Sequence, residues 1–171
     1  MTNKNNKKGF TIIEVVLVLA IAGLIFLMVF IALPALQRSQ RNTRRRQDMA
    51  RILSAFNDYQ ANNNGNFPDA TKQAEMNKFA KKYVDPSCTL SENDTKLSDC
   101  NDQFVDPDGS QYTFAAGTTG EEITGDLDHV IKFYTNAKCS GEKTAAASGG
   151  NRSIAITYIL EGGAVYCGDN Q

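Results

Sequence analysis

The chain is poor in the residues that build catalytic and metal centres. It holds one histidine, His129, and four cysteines, Cys88, Cys100, Cys139 and Cys167. None of the cysteines forms a Cys-x-x-Cys pair, and none lies near the histidine in sequence. Structural zinc needs four such ligands at close spacings, so that chemistry is excluded. A nucleophile needs a base beside it, and the lone histidine begins a predicted strand, which is a structural position. There is no glycine-rich phosphate loop. Charge is missing altogether from Val15 to Leu36. A helix over those residues is roughly 33 Å long, enough to cross a hydrocarbon core of about 30 Å.

What is present is unevenly spread. A chain of 171 residues allows one globular domain plus its ends. The net charge of -1 averages a basic N-terminal third against an acidic remainder, so it identifies no partner. Cysteines confined to the region beyond the apolar run read as two disulfides in an oxidising compartment.

The first residues are short, polar and basic through Lys4, Lys7 and Lys8, and Gly9-Phe10-Thr11-Ile12-Ile13-Glu14 leads into the apolar run. A secretory signal peptide also begins basic and turns apolar. Its apolar region is usually about 7–15 residues, however, and holds no carboxylate. Ala32-Leu33-Pro34-Ala35 is at best a poor signal-peptidase site, and a plain uncleaved anchor leaves Glu14 unexplained. An acidic residue at the centre of a membrane helix costs about 2.5–3.5 kcal/mol, and less near the interface. A cationic partner supplied by assembly would account for it.

Residues Lys8 to Glu14 resemble the class III signal of type IV pilins and pseudopilins: a basic leader ending in glycine, an apolar residue, then glutamate four places on, ahead of an apolar helix. The resemblance implies a prepilin peptidase that cuts Gly9–Phe10 on the cytoplasmic face and N-methylates Phe10. It also implies that Thr11 and Glu14 belong to the assembly segment, with Glu14 facing the Phe10 ammonium of a neighbouring subunit, where opposite charges relieve each other's desolvation. Gly23 falls where the family carries a helix-loosening glycine. Pro34 is displaced by about one turn from the family's common proline, so any melted stretch of helix is expected to be shifted.

Positive-inside counting opposes this orientation. Three leader lysines face Arg38, Arg41, Arg44, Arg45, Arg46 and Arg51 just beyond the span, which would put the arginine side in the cytoplasm. The peptidase signal requires a cytoplasmic leader and the cysteines an oxidising environment, so the C-terminal domain is expected outside. The arginines read first as a solvated helix face that meets acidic groups on neighbouring subunits. They also suit anionic lipid headgroups or, as a repeated stripe, the phosphates of DNA. No aromatics interleave them, which weakens a base-stacking role.

Beyond Pro34 the helix is expected to continue, with Met49, Ile52, Leu53, Phe56 and Tyr59 forming one apolar stripe. Asn62-Asn63-Asn64-Gly65-Asn66-Phe67-Pro68 supplies a left-handed cap and stop. A short helix is expected from Thr71 to Lys82, with Ala74, Phe79 and Ala80 as its contacts. A polar loop from Cys88 to Cys100 follows, pinned by a Cys88–Cys100 disulfide. Asp106-Pro107-Asp108-Gly109 is a turn. Asp106 and Asp108 resemble calcium-binding turns of the kind some pseudopilins carry, but they lack the further ligands of a calcium loop.

Strands are expected at Gln111–Ala115, His129–Thr135, Ser153–Leu160 and Ala164–Cys167, the last two as a hairpin through Glu161-Gly162-Gly163. If the second and third are also antiparallel, Cys139 and Cys167 meet at one end of the sheet and pair. Gly141 to Gly150 reads as a flexible connection.

The expectation is an α+β, pilin-like fold: a long N-terminal helix, its first half transmembrane, on an antiparallel sheet of about four strands. Its divisions are a leader at 1–9, an assembly half at 10–36, an amphipathic basic half at 37–61 and a globular region at 62–171. The resemblance implies a structural subunit, neither an enzyme nor a cofactor binder, that is a single-pass membrane protein before joining a surface pilus. Its partners would be other pilin subunits, the prepilin peptidase and the assembly platform. Adhesion or twitching motility is the leading role. A type II-like pseudopilin and a DNA-uptake pilus subunit are the alternatives.

Overall fold

The computed structural model describes residues 9–69, 72–87, 89–90, 97–98, 104–125, 128–147 and 152–171. The chain divides after Ser39, and the second compact unit is Gln40–Gln171. Helix α1 (Ile12–Asn62) is continuous through Pro34. Proline gives up one backbone hydrogen bond there without ending the helix. Over its apolar part the mean hydropathy is 3.2 and no residue is buried, so by length and composition the helix can cross a membrane. The large side chains from Phe10 to Leu36 are exposed, Phe10 by 91%. An apolar surface of that extent is not tolerated in water and marks a lipid or protein contact.

In the second unit the helix ends where the sequence placed its stop. Asn64 and Gly65 adopt left-handed backbone, φ 56° and 83°, and the Gly65 N–H donates to the Gln60 carbonyl at 2.9 Å, which closes the last turn. Helix α2 (Gln73–Phe79) runs directly into a π-helical turn (Ala80–Val84). Phe79 and Ala80 are buried as expected. Ala74 is exposed, and Met76 takes the core position instead.

Strands β1 (Thr89–Leu90) and β2 (Leu97–Ser98) form a small antiparallel ladder between the positions of Cys88 and Cys100, and those cysteines lie outside the described residues. The main sheet has the order β3-β4-β7-β8, with β3 (Thr113–Ala116), β4 (Val130–Thr135), β7 (Ile154–Ile159) and β8 (Val165–Asp169). The four expected strands are all there, with ends shifted by one or two residues. The sheet is not wholly antiparallel, however: β3 and β4 pair in parallel, Thr113 opposite Val130, while β4–β7 and β7–β8 are antiparallel. A parallel pair is joined by a crossover connection rather than by a tight hairpin turn.

A second correction concerns the segment after Cys139. Strand β5 (Ala137–Ser140) pairs with β6 (Lys143–Ala146) as a hairpin, so the first part of the expected flexible connection is a strand. Gly141, at φ 67°, opens the two-residue turn, as primed hairpin turns require.

The core lies between the second half of α1 and the sheet. Met49, Ile52 and Phe56 are fully buried, as are Phe79, Ile131 and Ile156. Phe56 stacks on Phe79 with centroids 4.4 Å apart and meets Phe133 at 5.2 Å. The predicted apolar stripe is therefore the surface on which the sheet is built.

Candidate functional site

Gly9 and Phe10 precede the helix and are exposed, so the expected scissile bond is accessible. Thr11 caps the helix. Its backbone N–H and its hydroxyl both donate to Glu14 Oε2 at 2.8 Å, and the Glu14 N–H returns a bond to Thr11 Oγ1 at 3.4 Å. This reciprocal Thr-x-x-Glu arrangement is a capping box. It supplies a local use for Glu14 that the sequence reading missed, although the Thr-x-x-Glu spacing was there to find it. A Cβ at Gly23 would meet nothing within 4 Å, so its surroundings do not require glycine.

The arginines separate into different environments. Arg45 is fully buried. Its Nε and Nη2 donate to the two carboxylate oxygens of Asp106 at 2.7 and 2.6 Å. Its Nη1 donates to Glu161 Oε1 at 2.6 Å and to Asn42 Oδ1 at 3.1 Å. Arg41 holds both oxygens of Glu161 at 2.7 Å. Arg51 donates to the Val84 carbonyl at 3.1 Å and lies 5.9 Å from the Phe104 ring centroid. Arg38, Arg44 and Arg46 are exposed. The expectation of one solvated stripe is thus corrected: Arg45 is inside and cannot meet a phosphate or lipid headgroup, and Arg41 and Arg51 bond within the subunit. The six residues turn through successive helix faces, and 41 and 45 fall on the face that meets the sheet.

Asp106 anchors this cluster. Besides Arg45 it accepts from the Tyr158 hydroxyl at 2.8 Å and the Asp108 N–H at 3.0 Å. Burial pushes its carboxyl up, but those bonds outweigh burial and hold it below the usual aspartate range. Glu161 falls from 4.5 to about 2, chiefly through its bonds to Arg41, with Arg45 adding to the effect. Burial pulls the Arg45 guanidinium down, yet its two carboxylate partners more than compensate and raise it. Asp48, by contrast, is raised by burial despite the Tyr112 hydroxyl at 2.9 Å.

The Asp106-Pro107-Asp108-Gly109 turn forms as predicted, with Gly109 at φ 92° and its N–H on the Asp106 carbonyl at 2.8 Å. Asp106, Asp108 and His129 each offer an atom within 4.8 Å of the others. The donor set suits a cation poorly. Both Asp106 oxygens already accept from Arg45, and the guanidinium also lies 3.7 Å from Asp108. A cation there would have to share the Asp106 carboxylate with that guanidinium and bear its repulsion.

Cys139 on β5 and Cys167 on β8 are bonded, with Cα atoms 5.8 Å apart. Because β4 and β7 are antiparallel, Thr135 lies opposite Ile154, and Asp169 lies opposite Ala155. The chain leaving β4 therefore meets the end of β8, as the strand order predicts.

Compared with known families, residues 4–30 match the model of the prokaryotic N-terminal methylation motif. The chain carries the class III signal of type IV pilins and pseudopilins. The motif spans the basic leader, Gly9, Phe10, Glu14 and most of the apolar segment. It marks a pilin-type structural family rather than an enzyme family, and it implies prepilin peptidase processing and pilin-type polymerisation in general terms. With the apolar helix it is consistent with membrane anchoring before assembly. No curated protein and no solved structure matches the chain.

Proposed function

We propose that this chain is a structural subunit of a type IV pilus serving adhesion or motility. The methylation motif continuous with an exposed apolar helix carries this reading. The peptidase cuts Gly9–Phe10 and methylates Phe10, and residues 10–36 pass from the membrane into the filament core. Glu14 then meets the Phe10 ammonium of a neighbour. Both Thr11 bonds use Glu14 Oε2, which supports this role because Oε1 is left for the incoming cation. A charge pair formed in a low-dielectric core is strong provided it is geometrically satisfied.

The Cys139–Cys167 bond favours an extracytoplasmic domain. Electron microscopy of material sheared from the cell surface tests the proposal. Long fibres containing this chain are expected, and their absence with the chain retained in the envelope would transfer it to a pseudopilus.

A further inference from the structure

Away from the ion cluster, the unit Gln40–Gln171 carries a cationic pocket beside α2 and the π-turn. Lys78, Lys81 and Lys82 line it with Tyr59, Asn63 and Tyr83, around a volume of about 360 Å³. The three lysines are exposed. Lys72, Lys132 and Lys143 each pair with a carboxylate, whereas Lys78, Lys81 and Lys82 pair with none among the described residues. Three ammonium groups with no carboxylate partner among the described residues, set around one hollow, attract an anion.

The aromatic residues narrow the kind of anion. Tyr59 and Tyr83 are half-buried and meet edge to face at 5.4 Å. Buried Phe79 supports both from the core side, 5.8 Å from Tyr59 and 6.2 Å from Tyr83. Lys82 Nζ sits 5.2 Å from the Tyr83 centroid, so cation and ring share one surface. The π-turn, closed by the Asp85 N–H on the Ala80 carbonyl at 3.0 Å, presents Lys81, Lys82 and Tyr83 together. Such turns are uncommon and concentrate at functional sites.

An acidic protein segment would satisfy the lysines and leave the rings unused, and a duplex keeps its bases stacked away from them. A single strand offers phosphates and unstacked bases in alternation. We propose that this pocket binds single-stranded nucleic acid, with phosphates on Lys78, Lys81 and Lys82 and a base against the Tyr59–Tyr83 pair. The contact is a property of one subunit and does not depend on polymerisation. No arginine lines it; of the arginine run, Arg51 reaches the neighbouring Val84 carbonyl and Arg45 is buried.

The test is fluorescence anisotropy of a labelled oligothymidylate of about twelve nucleotides on the full chain in uncharged detergent micelles. Binding is expected, with log affinity falling against log salt at a slope of about -2, as for three phosphates on a single strand. Changing the three lysines together to Gln should weaken binding at least about ten-fold and flatten that slope. Changing them to Arg should preserve binding, and Arg38, Arg44 and Arg46 together to Gln should shift it by no more than about two-fold. A 2-aminopurine placed in the strand should be quenched on binding. An absence of binding, an unaffected lysine-to-Gln variant, or no quenching would overturn the proposal. Displacement by polyglutamate as effective per charge as by unlabelled strand would instead assign the pocket to an acidic protein.

Discussion

Arg45 on α1 and Asp106 at the turn before β3 form a two-bond ion pair, 2.7 and 2.6 Å, with both side chains removed from solvent. Glu161, just past the end of β7, closes the cluster from the other side of the guanidinium. One residue thus ties the helix to the turn before β3 and to the turn after β7, which lie at the same end of the sheet. Taking two charges out of water is expensive, and the fork geometry with satisfied lone pairs is what makes the arrangement tolerable.

Arg45→Met strands the Asp106 carboxylate in the core. A loss of about 3–5 kcal/mol is expected, measured by chemical denaturation of the full chain in micelles. Adding Asp106→Leu to that variant should recover part of the loss, because no unpaired charge then remains.

Acid should weaken the same cluster. Glu161 has its carboxyl lowered from 4.5 to about 2, and Asp106 is lowered as well. A depressed carboxylate stabilises fully above its unfolded value and loses that contribution as pH falls through the folded one. Stability should therefore decline from about pH 4.5 towards about pH 2. Asp48, raised by burial, acts in the opposite sense and offsets part of the decline. Glu161→Gln should reduce the slope of thermal midpoint against pH in that window. An unchanged slope would remove Glu161 from the account.

The Cys139–Cys167 bond closes a sequence separation of 28 residues. Replacing both cysteines with Ser should cost about 3–4 kcal/mol in the chain-entropy model. The drop in denaturation midpoint measures it.

Glu14→Ala removes the capping partner of Thr11 and the carboxylate proposed to receive the neighbour's ammonium. Cleavage at Gly9–Phe10 should proceed, while incorporation into sheared filaments should fall at least about ten-fold, the scale of a 1.4 kcal/mol loss at each contact. Immunoblots of the sheared and membrane fractions report both outcomes.

Much of the fold was legible because it follows from periodicity and turn chemistry. The stripe of Met49, Ile52 and Phe56 marked the buried face of α1, Asn64-Gly65 its end, and the expected antiparallel pairing of the last three strands the Cys139–Cys167 bond. Arg45 was misread because an arginine within an arginine run looks solvated. Yet it lies four residues before Met49, on the same face, and extending the stripe upward would have reached it. The parallel β3–β4 pairing was hidden because a strand's own pattern does not reveal its neighbour's direction. The β5–β6 hairpin was missed because Lys143-Thr144-Ala145-Ala146 has little strand propensity and is held by pairing. At the N-terminus the signal itself was plain, whereas the Thr11–Glu14 cap was hidden behind the assembly role assigned to both residues.

Intact-mass and N-terminal peptide mass spectrometry of the chain from its native envelope tests the central claim most directly. Mature chains should begin at Phe10 and carry one added methyl on its amine. Chains that retain Met1, or that begin near Ala35, would contradict the account.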